Sequence, residues 1–233
     1  MGGYRAGGFY DSFQADKMRG VIYLVWGERA AKEAESSSAS LSKFMPELPV
    51  LTLGDYRTDK PLDYVEPFDG KKFLWGRCLP WLYIESPFDK AMYLDADTEF
   101  VSSPKFLFDL LDKWELIVVE TPERSLESEM VEEPEMEYSR QLLGTPHILY
   151  HNGGAFLWRK CEAVERFFWQ WYSEWLRFQS WDPQVSMLRA LMLSDVLFLS
   201  LPYVSNHNDK EEATFLYHRY GSQVAQTFVR GAA

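Results

Sequence analysis

The sequence predicts an α/β fold, with a mostly parallel central sheet and helices on both of its faces. Three observations predict it. Short β-rich runs alternate with helix-patterned segments from residue 21 to residue 218. The strand-like runs are apolar throughout rather than alternating, as strands covered on both faces are. Finally, no internal repeat or low-complexity tract interrupts the pattern.

Residues 21–25 (Val-Ile-Tyr-Leu-Val) suit a buried first strand, which Trp26 and Gly27 end. Residues 29–44 read as a helix, 48–53 as a second strand closed by Gly54 and Asp55, and 71–85 as a second helix that Pro80 kinks or divides. Residues 90–95 make the third strand. Ser103 and Pro104 open a short helix, proline being favourable in a first turn, and 115–119 form another strand. Further on, 154–158 read as a strand, 162–178 and 183–193 as helices, and 196–199 and 214–218 as strands. Within 162–178, Val164, Phe168, Trp171, Tyr172 and Trp175 share one helical face, and this aromatic stripe is assigned to packing.

A chain of 233 residues, 46% hydrophobic and 16% aromatic, can bury one substantial core. Residues 21–233 are read as a single domain and residues 1–20 as a mobile, glycine-containing leader. The formal charge of -11 repels a nucleic-acid backbone, which excludes nucleic acid as a partner. Residues 121–140 carry seven Glu against two Arg, and this acidic stretch reads as a solvated loop, a flap beside a ligand cleft. Cys78 and Cys161 have no metal-type spacing and are expected as reduced, buried thiols. No run approaches the roughly 18 apolar residues of a membrane span, and no signal core is evident, so the expectation is a cytoplasmic protein. The sequence leaves the oligomeric state open.

Chemistry concentrates in Tyr93-Leu94-Asp95-Ala96-Asp97-Thr98, where two carboxylates at i and i+2 leave the end of an apolar strand. On extended backbone, such a pair projects to one side, roughly 7 Å apart along the chain. Open α/β sheets bind ligands outside the carboxyl ends of their strands, which is where this pair belongs. Two carboxylates there suit Mn or Mg, hard cations that neutralise the charge growing on a departing diphosphate. Capping of a turn is the alternative use of aspartates at a strand end. His147 and His151 are roughly 13 Å apart in extended chain, too far to share one ion.

The segment 86–98, together with Asn152-Gly153-Gly154-Ala155-Phe156-Leu157-Trp158, resembles the GT-A nucleotide-diphospho-sugar transferases, in particular the glycogenin and bacterial galactosyltransferase group. The likeness runs from about residue 21 to residue 221. It implies a GT-A fold, a nucleotide-sugar donor with UDP favoured, Mn2+ or Mg2+ held by Asp95 and Asp97, and a retaining reaction on an acceptor that the sequence does not identify. Arg77 resembles a basic residue turned toward the donor. Asn152 resembles an asparagine that bonds the donor sugar, with Gly153 and Gly154 allowing close backbone approach. His218, in His218-Arg219-Tyr220-Gly221, resembles a third metal ligand. Where such proteins carry a lysine three residues after that glycine, this chain has Val224, so phosphate charge falls to the metal, Arg77 or Arg219. Asp182 and Gln184 have the residue types of a catalytic Asp-Gln pair but are split by Pro183, and Asp182 equally suits the N-cap of the following helix.

Other readings fit less well. A haloacid-dehalogenase phosphatase requires Thr or Val where Glu99 stands, and a sugar nucleotidyltransferase needs a glycine-rich phosphate loop that Trp26-Gly27-Glu28-Arg29 does not provide. A domain of the same fold that binds a donor or partner without turnover is the nonenzymatic alternative.

Overall fold

A computed structural model describes residues 18–54, 63–65, 79–121, 132–145, 147–180 and 183–219. Arg77, Cys78 and Asp182 lie outside these residues. The chain opens with β1 (Arg19–Val25), α1 (Gly27–Leu41), β2 (Val50–Gly54) and β3 (Asp63–Val65). There follow α2 (Leu79–Ile84), β4 (Lys90–Leu94), β5 (Thr98–Phe100), α3 (Lys105–Leu110), β6 (Leu116–Glu120) and α4 (Glu133–Leu143). The rest comprises β7 (His151–Arg159), α5 (Glu162–Leu176), α6 (Gln184–Leu193), β8 (Phe198–Leu201), β9 (Asn206–His207) and β10 (Leu216–His218).

Among the described residues, one sheet has the order β3-β2-β1-β4-β7-β6-β8. β1 pairs in parallel with β2 and β4, β2 with β3, and β6 with β8. β7 runs against both its neighbours, β4 and β6. The sheet is therefore mostly parallel, with one reversed strand near its middle.

Side-chain alternation divides each strand between two cores. Ile22 and Leu24, Ala91 and Tyr93, and Phe156 and Trp158 face one core, under α5 and α6. Val21, Tyr23 and Val25, Met92 and Leu94, and Ala155 and Leu157 face the other, under α1 and α3. Burial on both faces is why these strands read as continuous apolar runs.

The α5 stripe packs against the core, with Val164, Phe168, Trp171 and Trp175 buried and joined by Phe167, and with Tyr172 only partly buried. Two of its indoles also act as donors. Trp171 Nε1 gives its proton to the Pro183 carbonyl at 3.0 Å, and Trp175 Nε1 to that of Ser180 at 2.9 Å. Core aromatics thus fix the chain as it enters α6, whose first residue is Gln184.

Leu79–Ile84 is helical with Pro80 as its second described residue, and the rest of the helix expected over 71–85 up to residue 78 lies outside the described residues. One expectation needs correction here. Part of the acidic stretch forms α4 rather than a solvated loop. Its helix is favoured by Pro134 and by Glu133 and Glu135 in the first turn, and Gly144 ends it at φ 72° in the left-handed region. Glu135 is buried because Arg189, itself fully buried on α6, approaches it at 2.9 Å while also meeting Glu174 of α5 at 3.0 Å. Arg189 donates further to Ser139 Oγ at 2.8 Å, and Ser180 Oγ donates to Glu135. One guanidinium therefore ties α4, α5 and α6 together, a use of charge invisible to composition.

Candidate metal and donor site

The site forms where β4 ends. Its chain turns through Ala96 and Asp97 into β5, so the two carboxylates converge across a turn rather than along extended backbone. Thr98 Oγ1 donates to the Asp95 carbonyl at 2.9 Å and so closes that turn. With its one proton committed, Thr98 accepts from Ser37 Oγ at 2.9 Å, and Ser37 in turn accepts from Tyr23 OH at 2.8 Å. Burial raises the Tyr23 phenol well above its usual value, which keeps it a donor. A buried relay from α1 and β1 thereby fixes the backbone that carries the aspartates.

Asp95, Asp97 and His218 offer ligand atoms that all lie within 4.8 Å of one another. His218 Nε2 stands 3.1 Å from Asp97 Oδ1 and 3.8 Å from Asp95 Oδ2. Tyr93 OH donates to Asp95 Oδ1 at 2.7 Å, aiming that carboxylate. The His218 side chain is 4% exposed, Asp97 16% and Asp95 38%, so the group opens to solvent on the Asp95 side. His218 reaches the aspartates through a second sheet of order β5-β10-β9, in which His218 is directly opposite Thr98. The next residue, Arg219, gives its backbone N–H and its Nε–H to the Asp97 carbonyl, at 3.1 and 3.2 Å. Arg219 also lines an open cleft of about 430 Å³ with Glu28, Arg29, Lys32, Glu33 and Ser36.

Asn152, Gly153 and Gly154 do not form a turn ahead of a strand. They lie within β7, at an irregularity where Val118 faces Phe156 but the adjacent Val119 faces Asn152. The slip bulges the Asn-Gly-Gly segment toward the end of β4. Asn152 Oδ1 accepts from Gly154 N–H at 2.6 Å, and the Gly154 carbonyl accepts from Asp95 N–H at 2.7 Å. A Cβ at residue 154 would lie 2.8 Å from His218 Cε1 and 2.9 Å from Asp95 Cγ, so only glycine leaves room for the Asp95–His218 approach. Gln184 joins the same ensemble, its Oε1 accepting from Gly153 N–H at 2.9 Å.

The structure thus brings together Asp95, Asp97, Asn152, Gly153, Gly154, Gln184 and His218, and leaves Arg77 and Asp182 outside the described residues. His151 is buried beside Ser200, whose Oγ is 3.0 Å from its Nε2, and desolvation lowers its imidazole to about 4. Neither His147 nor His151 belongs to the metal-type group. Sequence reasoning missed Tyr93, Thr98 and Asn206, whose Nδ2 lies 3.3 Å from His218 Nδ1. Among the described residues no helix is long and apolar enough to cross a membrane. Cys161 is a free, partly buried thiol.

Two carboxylate oxygens and an imidazole nitrogen, gathered beside a glycine whose missing side chain makes the space, suit a divalent cation such as Mn or Mg. No protein-family model matches the chain, and no curated protein does. Solved structures do. The WbbM bifunctional glycosyltransferase is similar over 92% of this chain and 47% of its own, at 14% identity and TM-score 0.64. The galactosyltransferase LgtC, solved with donor and acceptor sugar analogs, is similar over 91% of this chain and 94% of its own, at 16% identity and TM-score 0.54. The glycosyltransferase GlyE of Streptococcus pneumoniae TIGR4 is similar over 80% of this chain and 45% of its own, at 14% identity and TM-score 0.54. This chain has the GT-A fold. It spans about half the length of GlyE and WbbM. In GT-A terms, the mostly parallel sheet carries the aspartate pair at the end of β4, with the reversed β7 beside it.

Proposed function

We propose that the protein is a metal-dependent glycosyltransferase that moves a sugar from a nucleotide-diphosphate donor, UDP-sugar favoured, to a hydroxyl acceptor such as a glycan. The convergence of Asp95, Asp97 and His218 beside Gly154 carries this reading. These three side chains would hold Mn2+ or Mg2+, which supplies neutralising charge to the diphosphate leaving group. Asp97 is the principal ligand, lying nearest His218 and least exposed of the two carboxylates. Asn152 orients the donor sugar while fixing the Gly154 amide, and Gly153 and Gly154 let backbone approach it closely. Gln184, with Asp182 two residues before it, is assigned to the sugar and the bond being broken. Arg77 and Arg219 supply the cationic charge that Val224 cannot. Accordingly, Arg77→Ala should weaken UDP and UDP-sugar alike, whereas Asn152→Ala should weaken the sugar donor more than UDP.

A binder without turnover is the second reading, since a shared fold does not establish activity. A panel of nucleotide sugars, each tested with and without Mn2+, separates the two. Glycosyl transfer predicts a metal-dependent thermal shift and release of nucleoside diphosphate for one donor. A thermal shift with no diphosphate release under any acceptor condition would favour the binder.

A further inference from the structure

Asn206 is 1% exposed on β9, and β9 pairs in parallel with β10, which carries His218. Its Nδ2 faces His218 Nδ1 at 3.3 Å, while its Oδ1 is buried without a hydrogen-bond partner among the described residues. An amide donating to Nδ1 requires that nitrogen to be bare, which puts the ring proton on Nε2. That proton faces Asp97 Oδ1 at 3.1 Å. A metal ion needs the opposite tautomer, with Nε2 bare and Nδ1 protonated. Turning the amide of Asn206 end for end swaps Nδ2 for Oδ1 with no change of shape. The now unsatisfied oxygen then accepts from Nδ1–H.

We infer that Asn206 is a positioning residue that selects the His218 tautomer, donating to Nδ1 in the metal-free protein and accepting from Nδ1–H when Nε2 binds a divalent cation. The inference rests on the metal-site reading above but not on turnover. The contact with Nδ1 points to a second state: once Nε2 holds a metal the ring proton sits on Nδ1, where it would meet the Nδ2 donor head-on, and turning the amide puts an acceptor there while exchanging one unpaired end of the amide for the other. The neighbouring side chains need not move, since the exchange is confined to one terminal torsion and one ring proton.

The test uses the full chain with no nucleotide present. Mn2+ affinity is read by electron paramagnetic resonance, and the His218 tautomer by long-range proton–nitrogen correlation of the imidazole, metal-free and loaded with diamagnetic Zn2+. The wild-type protein should show Nε2–H when metal-free and Nδ1–H when loaded. Asn206→Leu, which removes both donor and acceptor, should weaken Mn2+ by roughly 10-fold or more. Asn206→Asp, which keeps only acceptors, should hold Nδ1–H even without metal and bind Mn2+ at least as tightly as wild type. This variant also serves if the leucine variant does not fold. Wild-type Mn2+ affinity in a folded Asn206→Leu protein, equal weakening by both variants, or Nδ1–H in the metal-free wild type would overturn the inference. Tight Mn2+ binding that depends on Asn206 but supports no donor cleavage would instead sink the transferase reading alone.

Discussion

Gly154 and Asp95 meet backbone to backbone, with Asp95 N–H donating to the Gly154 carbonyl at 2.7 Å, so close that a methyl group on Gly154 would collide with the Asp95 carboxylate and the His218 ring. Gly154→Ala should therefore displace a ligand or strain the β4–β7 ladder, costing about 1–3 kcal/mol of stability in urea melts. It should also weaken Mn2+ about tenfold. Gly153→Ala, meeting only the flexible Gln184 side chain at 3.1 Å, should be the milder change. Equal tolerance of both substitutions would argue against the proposed packing of the ligands.

Asp97→Asn keeps size and replaces an anionic oxygen with an amide. Metal-dependent donor hydrolysis should fall by about two orders of magnitude, roughly 2.7 kcal/mol of transition-state stabilisation, with little change in Tm. His218→Ala should lose less, since two carboxylates remain. Near-wild-type hydrolysis by Asp97→Asn at limiting Mn2+ would contradict the assignment.

Removing the Arg189 charge leaves Glu135 and Glu174 buried without their shared cation. Arg189→Leu should cost about 3–5 kcal/mol, the usual loss when one partner of a buried ion pair is deleted. Chemical denaturation would read this directly. A loss within 1 kcal/mol, no larger than that of an exposed pair, would mean the network is solvated.

His151 makes a pH prediction. Burial lowers its imidazole to about 4, against roughly 6.5 in an unfolded chain. Between these values the unfolded state takes up a proton that the folded state refuses, so stability falls as pH falls through that window and is unaffected above it. The slope approaches about 1.4 kcal/mol per pH unit, for a total of about 3 kcal/mol. Urea melts at pH 7 and pH 4.5 should show a smaller acid loss in His151→Gln than in wild type, and parallel losses would refute the assignment.

The strands legible in the sequence include those with long apolar runs, β1, β2, β4, β6 and the later part of β7, because burial on both faces leaves a composition that needs no partner to be recognised. The aspartate pair was legible for a related reason: its place at a strand end is local. Among the short elements, β10 was legible within 214–218, but β5 and β9 were not: they span two or three residues each and exist through pairing with β10, as Phe100 of β5 pairs with Leu216. Asn-Gly-Gly reads as a turn by local rules, yet long-range pairing makes it a bulge inside β7. Glu135, Glu174 and Arg189 read as surface charges because pairing, which decides whether a charge can be buried, is a tertiary property. Asn206 carries no sequence signal at all; only its distance from His218 marks it.

The position of His218 on β10, after the last strand of the large sheet, orders events during synthesis. A ribosome that has delivered the chain through Leu201 has supplied every described strand of that sheet and both aspartates, but not the His218 imidazole. The nascent polypeptide can complete its main scaffold with the proposed cation site unfinished, since the three candidate ligands come together only when β10 emerges and docks against β5. On the proposed reading, metal loading by all three residues would therefore follow the large sheet rather than accompany its formation.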